Sequence, residues 1–292
     1  MTRSVAFRQV DVFTAVAFRG NPVAVILDAR DLSADRMQHI ANWTNLSETT
    51  FVLPASAADA DYRVRIFTPR HELPFAGHPS VGTAHAMIEA GLALPRNGAL
   101  AMECAAGVLP LFVEGEGAQR KIFVRAPVAH FADPELTLLV ALSKALGVTI
   151  DQSPAPCNVR VGPVWTVVDL HDEAAVRGLR PDMARCAELT GEHDSVGIAV
   201  FGRSSDATLP YVVRCFCPAD GIPEDPVTGS GQAAVAAYLR ANQLIPDGAF
   251  AYAASQGREV GRDGIVHVRI GSDDRIDIGG HSVTCIEGTF RG

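Results

Sequence analysis

Tyr62-Arg63-Val64-Arg65-Ile66-Phe67-Thr68-Pro69 returns later in the chain as Tyr211-Val212-Val213-Arg214-Cys215-Phe216-Cys217-Pro218, with five of eight residues identical at an offset of 149. The match resumes after a gap two residues shorter in the second copy. His78-Pro79-Ser80-Val81-Gly82-Thr83 aligns with Asp225-Pro226-Val227-Thr228-Gly229-Ser230 at an offset of 147. Fainter echoes flank this segment: Asn21-Pro22 is answered by Gly162-Pro163, and Ala106-Gly107 by Gln256-Gly257. The offsets lie near half of the 292 residues, so the repeat spans the whole chain. Two like halves predict one shared cleft at a pseudo-two-fold axis, where chemistry concentrates. The halves differ at a telling place, since His78 stands in one where Asp225 stands in the other.

Each half is long enough to bury a core of its own. With 48% hydrophobic and 20% charged residues, composition argues against disorder. A formal charge of −8 without a Lys/Arg cluster excludes an electrostatic footprint for nucleic acid. Arg8 and Asp11 interrupt what would be the apolar block of a signal peptide. No apolar run approaches the ~20 residues of a membrane span. The expectation is a cytoplasmic protein without nucleic-acid or membrane partners. The six cysteines are scattered and include no Cys-x-x-Cys, as expected of small buried hydrophobes in a reducing compartment.

Strand-like runs of Val, Ile and Phe recur at 6–13, 22–27, 50–54, 61–68, 107–113 and 120–125. The second half supplies 164–170, 196–201, 210–217, 249–254, 264–270 and 283–289. Helices are predicted at 33–43, with Ser33 as N-cap, and at 136–146. Two more follow the repeated Pro, over about 79–90 and 229–239, and neither carries a charged face before its last turn. A helix apolar nearly all round must be enclosed, and a sheet curled around it is the natural enclosure. Their N-termini, turned to the cleft, would hold an anion without Lys or Arg. Thr83, Ser230 and the backbone of Gly229, Ser230 and Gly231 could add donors.

Together with Asp11-Val12-Phe13-Thr14, Gly20-Asn21-Pro22-Val23, Asn45-Leu46-Ser47-Glu48-Thr49-Thr50-Phe51-Val52, Pro74-Phe75-Ala76-Gly77-His78 and Glu224-Asp225, these segments resemble the phenazine-biosynthesis (PhzF-like) isomerase family, which shares the diaminopimelate-epimerase fold. The resemblance implies an α+β protein of two pseudo-symmetric domains, each a curved, mostly antiparallel sheet around a central helix. On that pattern the domains are 1–128, joined by a C-terminal strand 284–292, and 129–283, with the active-site cleft between them. It also implies a homodimer and cofactor-free isomerisation of a small carboxylate substrate. In the phenazine enzyme a glutamate moves a hydrogen around the ring of a hydroxylated dihydroanthranilate. Carried over residue by residue, that glutamate is Glu48. His78 and Asp225 match active-site positions beside it, while Ser47, Gly77 and Ser230 match positions near the substrate's polar groups.

Read locally, each of these residues keeps a plainer alternative. Glu48 fits a solvated turn as well as a proton shuttle, which would need a carboxyl perturbed by burial or a like charge. His78 fits a capping or core histidine, and Asp225 a helix N-cap. His71, His78 and His85 are spaced by seven, with no carboxylate or second histidine one turn on to complete a metal set, so no metal is expected. A two-thiol epimerase or racemase is the nearest rival, but Ala76 and Val227 stand where it needs cysteines. A non-catalytic carboxylate binder would have no use for Glu48, His78 and Asp225 together. Gly229-Ser230-Gly231 is too short for a nucleotide-binding Walker motif.

Overall fold

The computed structural model describes residues 4–132 and 136–291, which form two compact units, 4–125 with 279–291, and 126–278 less the undescribed 133–135. In chain order the first unit contains β1 (Ser4–Val12), β2 (Asn21–Ile26), α1 (Ala34–Thr44), β3 (Thr49–Leu53), β4 (Tyr62–Phe67), β5 (Glu72–Leu73), α2 (Gly77–Glu89), β6 (Ala99–Cys104), β7 (Gly107–Glu114) and β8 (Lys121–Arg125). The second contains β9 (His130–Ala132), α3 (Leu136–Leu146), β10 (Cys157–Arg160), β11 (Val164–Asp172), α4 (Glu173–Gly178), α5 (Met183–Glu192), β12 (Gly197–Arg203), β13 (Tyr211–Cys217), β14 (Ile222–Asp225), α6 (Gly229–Ala241), β15 (Phe250–Gln256) and β16 (Gly264–Ile270). After β17 (Ile276–Gly280) the chain ends in β18 (Ser282–Arg291).

The repeat seen in the sequence is a repeat of ladders. In the first unit β1 and β2 are antiparallel, β2 and β3 parallel, β3 and β4 antiparallel, β4 and β6 parallel, and β6 and β7 antiparallel. The second unit repeats the order and sense through β10, β11, β12, β13, β15 and β16. Even the outer strands correspond. β18 lies antiparallel to β1, and β9 antiparallel to β10.

The repeated Tyr-x-Val-Arg-x-Phe-x-Pro strand earns its conservation between halves through its arginine. Arg65 donates through Nε and Nη2 to the two carboxylate oxygens of Glu72 at 2.7 and 2.6 Å, and its guanidinium sits 5.1 Å from the Phe67 ring centroid. Arg214 does the same to Glu224 at 3.0 and 2.8 Å, 4.9 Å from the Phe216 ring. Each fork pins the short strand that leads into a central helix, β5 in one unit and β14 in the other.

Those central helices are enclosed as their composition demands. Every residue from His78 to Met87 is buried in α2, and α6 is buried from Gly231 to Leu239. Small residues permit this. A Cβ on Gly82 would meet Val23 Cγ1 at 2.4 Å, and one on Gly231 would meet Cys215 Sγ at 2.5 Å, so only glycine lets these helices lie against β2 and β13. In the first unit α1 buries Met37, Ile40 and Ala41 against Ile26, Phe51 and Phe67. In the second, α3, α4 and α5 bury Leu142, Val176 and Leu189 against Val168, Ile198 and Val200. The last two of these helices, and the strands β5, β6, β9, β10, β14 and β17, carried too short or too mixed a pattern to be read from sequence.

Candidate active site

Local structure delivers Glu48 to its place. Ser33 accepts the Arg36 N–H to start α1, and Asn45 ends it in the left-handed region at φ 53°. That turn sends Leu46, Ser47 and Glu48 directly into β3. The Glu48 carbonyl accepts the Ala24 N–H at 3.4 Å, so its backbone is held where β2 and β3 meet. Ser47, half-buried, lies in the turn just before it.

His78 is the second residue of α2, whose N-cap, Ala76, makes no side-chain bond. The helix therefore begins two residues earlier than the sequence predicts, and His78 is not its cap. Its ring is only 7% exposed and hydrogen-bonds the backbone of Pro22. Proline has no N–H, so the imidazole is the donor. The other ring nitrogen, Nε2, lies 3.3 Å from Glu48 Oε2, the Glu48 side chain being 15% exposed. Burial pushes the His78 pKa down to about 3, and the Pro22 carbonyl only partly offsets this. The imidazole is thus neutral, with Nε2 close to a carboxyl oxygen but not in hydrogen-bond geometry with it.

Thr83 goes elsewhere. It is fully buried, with Oγ1 2.7 Å from the Pro79 carbonyl and 2.8 Å from Thr50 Oγ1. Its hydroxyl fastens α2 to β3. Gly77, half-buried, opens the helix beside His78. Ser80 N–H is the first to bond within α2, leaving the Gly77 and His78 N–H groups outside the helical ladder.

In the second unit Asp225 closes β14, and the N-cap of α6 is Thr228. Asp225 is therefore not the cap. Its Oδ2 accepts the Thr228 hydroxyl at 2.6 Å. Gln232 N–H bonds the Thr228 carbonyl, so the amides of Gly229, Ser230 and Gly231 precede the helical ladder. Ser230, half-buried, receives the Trp165 indole N–H on Oγ at 3.1 Å. That bond occupies one lone pair and orients the Ser230 hydroxyl proton away from Trp165. Gly229 and Gly231 are buried, and Gly231 serves the close approach to Cys215.

Sequence reasoning missed Trp165, Thr228, Gln256 and the role of Pro22. The signal for Thr228 and Gln256 was present, because both fall in aligned repeat segments where the first half has other residues.

The thiols are poorly suited to proton abstraction. Burial pushes Cys157 and Cys186 up to about 11, and raises Cys104, Cys215 and Cys285 as well. One turn beyond His85, Glu89 does place a carboxylate 3.4 Å from Nε2, contrary to the reading of the sequence. The same carboxylate accepts from Arg8 and Thr284. Among the described residues no group of three or more His, Cys, Asp or Glu is placed to hold a metal ion, and no helix is long and apolar enough to cross a membrane.

The fold is thus a duplicated α+β unit with a histidine–glutamate contact in one copy and a hydroxyl-bound aspartate in the other. The family model for phenazine biosynthesis-like proteins, PhzC-PhzF, matches residues 10–288, and the chain belongs to that family. It is 38% identical over 291 residues to antisense-enhancing sequence 1 of Schizosaccharomyces pombe, covering 97% of both chains. It is 35% identical over 289 residues to the trans-2,3-dihydro-3-hydroxyanthranilate isomerase of Pseudomonas aeruginosa, covering 96% of both. The solved structure of a PhzF-family protein of Bacillus anthracis superposes with a TM-score of 0.88 at 28% identity, covering 99% of both chains.

Proposed function

We propose that the protein is a cofactor-independent isomerase that moves a proton on a small carboxylate-bearing substrate of the dihydro-hydroxyanthranilate type. Glu48 is the acid/base, with His78 and Asp225 acting on the same substrate. The observation that carries this reading is the 3.3 Å approach of His78 Nε2 to Glu48 Oε2, with the other ring nitrogen committed to Pro22. With its pKa down to about 3, the imidazole stays neutral beside Glu48 and orients the carboxyl group rather than protonating it, leaving Glu48 to exchange its own proton with a substrate carbon. The backbone N–H groups at the starts of α2 and α6, with the Ser230 hydroxyl, supply donors for substrate oxygens. The similarity to named dihydro-hydroxyanthranilate isomerases supports the substrate class. An epimerase working through two thiols is disfavoured by Ala76 and Val227 at the positions concerned.

The test is incubation with a panel of cyclic and acyclic amino and hydroxy acids in deuterated water, read by mass shift. Wild type is expected to exchange a carbon-bound hydrogen of at least one compound. Glu48→Gln is expected to lower that exchange at least 100-fold, about 2.7 kcal/mol of transition-state stabilisation, while binding changes little. Undiminished exchange by Glu48→Gln would remove Glu48 from the mechanism.

A further inference from the structure

Behind Asp225 lies a polar network that neither the resemblance nor the acid/base reading requires. Gln256, at the end of β15, is fully buried, as is Gln232 of α6, and Thr228 is nearly so. Gln256 Oε1 accepts the Thr228 backbone N–H at 3.1 Å and Gln232 Nε2 at 3.2 Å. Gln256 Nε2 donates to the Asp225 carbonyl at 3.1 Å and to Thr228 Oγ1 at 2.8 Å. With two donors facing its oxygen and two acceptors facing its nitrogen, the amide has one orientation. Thr228 Oγ1 accepts from that amide, so its single proton goes to Asp225 Oδ2. At 2.6 Å this bond has the length of one to a charged acceptor.

We propose that Thr228 and Gln256 are positioning residues for Asp225, forming a buried amide-to-hydroxyl relay that aims the carboxylate for the proposed reaction. The first half of the chain separates this from a requirement of the fold. Thr228 aligns with Val81, and Gln256 with Ala106 by sequence. Ladder register pairs Tyr211 with Ala254 as it pairs Tyr62 with Met102, which instead matches Gln256 to Cys104. Neither alignment gives the first unit an amide or a hydroxyl at these places, yet it builds the same strand and the same central helix. What the second unit has ahead of its central helix is a carboxylate: Asp225 follows the fork glutamate Glu224, where Leu73 follows Glu72 in the first unit. Burying polar side chains is costly unless each is bonded, so a relay confined to that half is matched to the carboxylate.

The inference rests on the isomerase reading, and the test separates the two. Thr228→Val is close to isosteric and removes the donor, whereas Thr228→Ser keeps it. On a compound that wild type exchanges, Thr228→Val is expected to lower kcat about 10- to 100-fold with KM changed less than about threefold. Thr228→Ser is expected to restore most of the rate. In an Asp225→Asn background Thr228→Val should add little, because the two act as one unit. A wild-type rate for Thr228→Val, or independent effects in that cycle, would overturn the relay and leave the isomerase reading standing. Should wild type exchange no compound, that reading fails, and the relay is judged without substrate by proton NMR. A slowly exchanging Thr228 hydroxyl proton is expected in wild type and lost in Asp225→Ala, which removes the acceptor oxygen that Asp225→Asn would keep. Its absence from wild type, or its persistence in Asp225→Ala, would overturn the relay.

Discussion

A neutral histidine sealed against a proline carbonyl makes protonation a problem for the folded state alone. His78 has a folded pKa of about 3 against its ordinary value of 6.5. Between those values the unfolded chain takes up the proton and the native protein does not. Stability from this group is complete above about pH 6.5 and is lost as pH falls toward 3, by up to about 1.4 kcal/mol per pH unit for one proton. Burial lowers His85 and His281 in the same direction. His78→Asn is therefore expected to flatten, without abolishing, the decline in stability between pH 7 and pH 4.5, measured by urea denaturation at each pH. An unchanged slope would show that His78 titrates normally in the folded protein. Glu48→Gln is expected to melt at the same or a higher temperature at pH 7, because an amide N–H can meet the Nε2 lone pair. A clear loss would point to a structural role for the carboxylate.

Among the elements, the two copies of the arginine strand use one motif in different surroundings. The Arg65 and Glu72 side chains are 27% and 35% exposed, whereas those of Arg214 and Glu224 are 5% and 7% exposed. Arg214 also donates to the Val176 and Leu179 carbonyls, tying β13 to the end of α4. Removing a partner from a buried pair strands the other charge, while an exposed pair contributes little. Arg214→Ala is expected to cost about 3–5 kcal/mol and Arg65→Ala less than about 1 kcal/mol, compared by denaturant midpoints. Equal losses would mean that the motif serves both strands alike. The difference bears on function, since Glu224 adjoins Asp225 and its fork steadies the strand that presents that carboxylate.

For the whole molecule, the path of the chain matters more than its halves suggest. The first unit is completed from the far end of the sequence, with β18 paired to β1 along its length from Ser4 opposite Arg291 to Val12 opposite Ser282. Phe290 packs against the cluster around Met37 and Phe51. Truncation after Gly280 is expected to expose the edge of β1 and to speed amide exchange in β1 to β4 more than in β11 to β13, followed by mass spectrometry. Uniform acceleration would show that the two units unfold as one.

The residue order alone was enough for the duplication, for the longer strands of each copy, and for the enclosure of two apolar helices. These rest on local periodicity and on short motifs that repeat. It also singled out Glu48, His78 and Asp225 through the family motifs. What those side chains meet follows from the folded arrangement alone. Pro22 and Glu48 reach His78 from strands far away in the chain, and Gln256 reaches Thr228 across a ladder. Identical arginines became buried in one copy and exposed in the other. Partners of this kind depend on strand pairing between distant segments, and no local pattern records them.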